Sequence, residues 1–184
     1  LVLGLANEYS IAWGCARQAQ AMGAEVVASC LNDKARPYVE PLTQSLGMDL
    51  QTCNIETPEE LEKLVAYAVA KLGRFDFVIH SIAWAPLADL HGRVVDSSST
   101  GFARAMEVSC HSFATLAKLC EPHMTQGGSM VTMTYLGAAE AVPHYGLMGP
   151  VQAAPQSLVR YMGLQFGAQG IRVVGASPGT ILYG

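Results

Sequence analysis

Tyr135 and Tyr145 stand ten positions apart in the stretch 134–152, T-Y-L-G-A-A-E-A-V-P-H-Y-G-L-M-G-P-V-Q. The first follows an apolar, strand-like run at 130–133, and the second precedes a helix-like one. A phenol, with an ordinary pKa of about 10, stays neutral at pH 7 while donating a hydrogen bond to a developing oxyanion. A tyrosine at a strand end and another at a helix entry form a pair that can deliver a proton. The ordinary alternative is two half-buried structural tyrosines, so the surrounding elements must decide.

Those elements alternate. Apolar strand runs are expected at 1–3, 25–30, 50–53, 76–80, 130–133 and 171–176. Between them lie helical patterns. The first is capped by Ser10, carries Ile11, Cys15, Ala19 and Met22, and ends at Gly23. The second starts at Asn32-Asp33 and runs through Leu46. The third opens at Thr57, with Leu61, Leu64, Val65 and Ala68 on one face. A polar loop to about residue 97 precedes a long helix at 100–124, and a last helix runs from about 149 to Gly170. Alternation of this kind predicts an α/β fold, a doubly wound (Rossmann) parallel sheet with helices on both faces in three layers. Without repeat or linker, residues 1–184 read as one dinucleotide-binding domain.

Composition narrows the function. The chain has 184 residues, about half of them apolar, and a net charge of -4 with no basic run. That argues against nucleic acid as a partner. No apolar run approaches the ~20 residues of a membrane span. Five scattered cysteines without a C-x-x-C pair read as buried thiols in a reducing, cytoplasmic setting. The five histidines show no ligand spacing, so no metal is expected. Leu1 opens inside a strand and Gly184 closes just past a turn, which reads as part of a longer chain, with no signal peptide.

In a doubly wound sheet, ligands bind outside the carboxyl ends of the strands. Strand one ends in Gly4, followed by small residues and Ser10-Ile11-Ala12 at a helix start. That is not G-x-G-x-x-G, but it offers a tight turn and a helix N-terminus for a pyrophosphate, with the Ser10 hydroxyl as a further donor. Strand two ends at Cys30-Leu31-Asn32, with neither a ribose-gripping carboxylate nor an arginine directly in place. Asp33, Lys34 and Arg36 come later, which leans towards NADH over NADPH. Asn54 and Ile55 could flank an adenine, and Ser81-Ile82-Ala83 would let the backbone approach a nucleotide.

Taken in order, G-x5-S-I-A-x-G (4–14), L-N-D-K (31–34), H-S-I-A with A-P (80–86), T-Y-L-G (134–137), Y-G-L-M-G (145–149) and S-P-G (177–179) resemble the bacterial enoyl-[acyl-carrier-protein] reductases. That family is a divergent branch of the short-chain dehydrogenase/reductases, and the resemblance covers essentially the whole chain. It implies hydride transfer from NADH to the β-carbon of a trans-2-enoyl thioester on acyl carrier protein, in fatty acid biosynthesis, by a homotetramer. Tyr145 would hydrogen-bond the thioester carbonyl as it becomes an enolate. Tyr135 would border the substrate. Gly4, Ser10, Ile11, Asn54, Ile55, Ser81 and Ile181 match cofactor-contacting positions, with Leu31, Ile82 and Ala83 beside them at the strand ends. The spacing differs from that of ordinary ketoreductases, which use Tyr-x3-Lys; Gly149 stands four after Tyr145.

The chain also departs from the family. Where Tyr-x6-Lys is expected, Gln152 stands, a catalytic and cofactor-binding position that keeps a donor and loses the charge. Pro155 falls inside the expected last helix, where proline costs roughly 3 kcal/mol. Asn54 replaces an aspartate, and Leu182-Tyr183 replaces a basic residue and a threonine. The substrate-covering loop and the last strand are not expected within these residues. Two readings follow: an NADH-dependent enoyl reductase, or a weakened or non-catalytic NAD-binding homologue.

Overall fold

The computed structural model describes residues 1–179. Six strands, β1 (Val2–Leu5), β2 (Val27–Cys30), β3 (Asp49–Thr52), β4 (Phe77–His80), β5 (Gly128–Met133) and β6 (Ile171–Ala176), form one parallel sheet. Their order is β3-β2-β1-β4-β5-β6. The order reverses direction between β1 and β4, the switch point where doubly wound sheets open a crevice. Among the described residues β6 is an edge strand, paired only with β5.

Alternation along β1 divides the core. Leu1 and Leu3 point to one face, where α3 (Pro58–Leu72) and α6 (Ser112–Cys120) cover them with Leu61, Leu64, Phe113 and Leu116. Val2 and Leu5 point to the other, against Trp13 and Ala16 of α1 (Ile11–Ala21) and Val39 of α2 (Arg36–Ser45). These side chains are almost wholly buried. Each large one withdrawn from water contributes roughly 1.5–3 kcal/mol.

Several expected boundaries shift for identifiable reasons. The second helix was expected from Asn32-Asp33 but begins at Arg36. The Asn32 side chain instead accepts from the N–H groups of Lys34 (3.0 Å) and Ala35 (3.1 Å), closing an Asx turn first. The loop before residue 97 holds a short α4 (Leu87–Leu90) and a 3₁₀ turn (Val94–Asp96). Nor is 100–124 one helix. α5 (Ser99–Met106) passes into a π-helical segment (Glu107–His111), then α6, then a 3₁₀ turn (Glu121–His123). Pro155, expected to disturb the last helix, lies buried inside an unbroken α7 (Met148–Phe166). Buried Val151 and Met162 anchor the helix on either side of it. The Thr134 hydroxyl also ties the Gln152 carbonyl to the end of β5 at 3.3 Å. Tertiary packing thus holds a helix that its own backbone bonding would weaken.

Candidate active site

The crevice begins at Gly4. Its φ of +97° belongs to the left-handed side of the map, and the β1–β2 register slips between Leu3 and Leu5. A Cβ there would lie 2.1 Å from the Ser81 carbonyl oxygen. Only glycine lets the ends of β1 and β4 approach so closely. Beside them lies a groove of about 330 Å³ across the carboxyl ends of β1 to β4. Gly4 contributes from β1, Leu31 from beyond β2, Asn54 and Ile55 from beyond β3, and Ser81, Ile82 and Ala83 from beyond β4.

Ser10 and Ile11 begin α1 and are not part of this lining. The Ser10 hydroxyl donates to the Asn7 carbonyl at 2.8 Å and accepts from the Trp13 N–H at 3.4 Å. Its single proton is thereby engaged in the turn. The Asn54 carbonyl oxygen (Oδ1) likewise accepts locally, from the Glu56 N–H at 3.2 Å. Arg36 pairs with Glu40 at 3.0 Å. Ile181 and Leu182-Tyr183 lie outside the described residues.

Tyr135 and Tyr145 come together. Their ring centroids are 4.7 Å apart with planes at 51°. Tyr135 leaves the end of β5 into a 3₁₀ turn (Leu136–Ala138). Tyr145 sits between His144 (φ 64°) and Gly146 (φ 51°), two left-handed residues in a row of three. For the non-glycine His144 that conformation is strained. A Cβ on Gly137 would stand 2.4 Å from Cδ1 of Tyr145, so the ring rests directly on the glycine backbone. Burial raises the Tyr145 pKa above its ordinary value, and the neighbouring Tyr135 adds to the rise. A hydrogen bond from the Gln152 side chain works in the opposite direction. The phenol is therefore a neutral donor at pH 7.

Gln152, from α7, is only 4% exposed, and its Oε1 has no hydrogen-bond partner. One end of this amide serves Tyr145 and the other is an idle buried acceptor. An unpaired buried acceptor costs about 1–3 kcal/mol, which a ligand hydroxyl would recover. The groove and the tyrosine are linked through packing: Ala85, just beyond the groove residues, shares an apolar cluster with Tyr145, Leu147 and Val151.

Four further side chains, to which the sequence assigns no role, bear on the site. His80, fully buried, bonds Thr132 through Nδ1 (3.1 Å) and Ser112 through Nε2 (2.8 Å). The Ser112 proton goes to the Val108 carbonyl at 2.7 Å. Nε2 is then the donor to Ser112, and Nδ1 accepts from Thr132. Burial pushes the imidazole down to about 4, so it stays neutral. Trp84 and Glu56 also line the groove, and Arg104 lies over the Trp84 ring. A tryptophan four residues past a strand end is a readable signal. Arg104, far along the chain, gave none.

A family profile described as Enoyl-(Acyl carrier protein) reductase matches residues 4–183. The chain is 38% identical over 182 residues to enoyl-[acyl-carrier-protein] reductase [NADH] 1 of Rhizobium meliloti (strain 1021), covering 98% of this chain and 67% of that protein. It is 39% identical to the NADH enoyl-[acyl-carrier-protein] reductase of a Nostoc species, covering 98% and 72%. The crystal structure of the Anaplasma phagocytophilum enoyl reductase in complex with NAD superimposes with a TM-score of 0.93 at 38% identity, over 97% of this chain and 69% of that one. That of the Aquifex aeolicus enzyme gives 0.94 at 34%, over 98% and 72%. The strand-end groove, the paired tyrosines and these likenesses agree: the chain belongs to the enoyl-[acyl-carrier-protein] reductase family.

Proposed function

We propose that the chain is an NADH-dependent oxidoreductase that reduces a trans-2-enoyl thioester carried on acyl carrier protein. The reading is carried by one arrangement: an open groove at the sheet's switch point joined through Ala85 to a neutral, half-buried tyrosine.

The residues present fit a dinucleotide. Gly4 brings two strand-end backbones together, Leu31, Asn54 and Ile55 offer apolar and amide surface, and Oε1 of Gln152 is a waiting acceptor for a ribose hydroxyl. When bound, the dihydronicotinamide supplies a hydride. Tyr145 donates to the thioester carbonyl oxygen as negative charge gathers there, and one such donor is worth roughly 2.7–4 kcal/mol. Tyr135 packs against the Tyr145 ring at a tilt, with ring centroids 4.7 Å apart. The Gln152 amide orients the phenol oxygen without adding charge. Cofactor binding therefore depends on this position less than the rate does.

We read the exposed outer surface of α7, where Tyr161 is 66% and Leu164 82% exposed, as the face that meets a second copy in a homotetramer. Among the described residues no helix is long and apolar enough to cross a membrane.

The test is consumption of NADH with crotonyl and longer enoyl thioesters. Steady turnover supports the proposal; turnover of a 3-ketoacyl thioester with none of the enoyl substrate ends it. NADH binding without turnover, restored to turnover by Gln152→Lys, would identify a weakened enzyme.

A further inference from the structure

We propose that Trp84 is the aromatic wall of the groove on which a planar ring of the bound dinucleotide rests, and that Arg104 and Ser109 are the positioning residues that fix it. The inference rests on the NADH reading above and adds residues to it.

Trp84 is one of two tryptophans; Trp13 is 7% exposed and Trp84 37%. Trp84 lines the groove immediately after Ser81, Ile82 and Ala83. Its backbone is held at both polar groups by a single hydroxyl. Ser109 Oγ accepts from the Trp84 N–H at 2.8 Å and donates to the Trp84 carbonyl at 2.9 Å. Ser109 is itself buried and lies in the π-helical segment. Such segments insert a residue into a helix and re-aim its side chains. Here the result is that Ser109 and Ser112 both engage the β4 end, one at Trp84 and one at His80.

The indole is held separately. The Arg104 guanidinium carbon lies 4.6 Å from the ring centroid, a cation–π stack. The same guanidinium grips Glu56 with two bonds, Nε to Oε1 at 2.5 Å and Nη2 to Oε2 at 2.9 Å. Arg104 holds the Glu56 carboxyl below its ordinary range. Glu56 is also a groove residue, from the loop after β3. One arginine of α5 thus ties the loops after β3 and β4 together and covers part of the indole. A planar, bidentate fork can do both at once; a lysine ammonium cannot.

The experiment is calorimetric titration of NADH into the chain and into Trp84→Leu, Trp84→Phe, Arg104→Gln, Arg104→Lys and Ser109→Ala, with thermal unfolding recorded for each. Trp84→Phe supplies the Trp13 background for fluorescence. Trp84→Leu should weaken NADH about tenfold and Trp84→Phe no more than about threefold, since phenylalanine keeps a stacking face. Arg104→Gln should weaken it about threefold, red-shift Trp84 emission and reduce its quenching by NADH; Arg104→Lys should fall between. Ser109→Ala should show the same spectral shift. NADH affinity unchanged in Trp84→Leu and Arg104→Gln overturns this inference, as does NADH binding that leaves Trp84 emission unaltered. If the unmodified chain binds no NADH, the cofactor reading itself falls.

Discussion

The side chain of Gln152 hydrogen-bonds the phenol of Tyr145, while its own Oε1 remains buried without a partner. The bond lowers a pKa that burial raises, so the amide favours the phenolate slightly without bringing a charge. Replacing Gln152 with Leu should raise the Tyr145 pKa further, and Lys should lower it. Ultraviolet titration against Tyr145→Phe reads both directions. If the site is catalytic, Gln152→Lys should raise kcat about tenfold, the difference between a neutral and a charge-assisted bond.

Tyr145→Phe removes the donor and keeps the ring. The expected fall in kcat is about 10²–10³, the usual loss for one oxyanion donor. NADH affinity should stay within about twofold by calorimetry, because hydrogen bonding to the substrate oxygen is not a cofactor contact. Tyr135→Phe should cost far less.

Gly137→Ala places a methyl 2.4 Å from Cδ1 of Tyr145. The ring must move, since the turn on which it rests is backbone. Overpacking of this sort costs about 1–3 kcal/mol, readable in urea unfolding. The rate with an enoyl thioester should fall at least about tenfold, because the phenol loses its aim.

His80 sets an acid limit. Its folded pKa of about 4 lies below the ordinary histidine value of 6.5, and the cause is burial. The unfolded chain gains the proton first as pH falls. Stability from this group is fully present above about 6.5 and declines as pH drops towards 4. The total is about 3 kcal/mol, from about 1.36 kcal/mol per unit. Urea unfolding at pH 7 and pH 5 should show the slope, and His80→Gln should flatten it while lowering stability at both.

The fold was legible because burial on alternate sides of a strand and every third or fourth residue of a helix are local patterns. Strand ends follow from them, and with them Gly4, Leu31, Asn54 and Ser81. Long-range pairings leave no such trace. Arg104 and Glu56 are 48 positions apart, and nothing near either announces the other. The π-helical segment escaped because one inserted residue barely changes a hydrophobic period, yet it redirects Ser109 and Ser112. Pro155 misled for the opposite reason. Its local cost is real, but buried neighbours on α7 outweigh it.

The left-handed backbone at His144 and Gly146 has a consequence for temperature dependence. A loop tyrosine free to swing would lose rotational freedom each time the barrier is crossed, and the reaction would carry a large negative activation entropy. Here that freedom is already surrendered when the chain folds. The activation entropy should be small, and His144→Gly, which relaxes the turn, should make it more negative while leaving the activation enthalpy nearly unchanged.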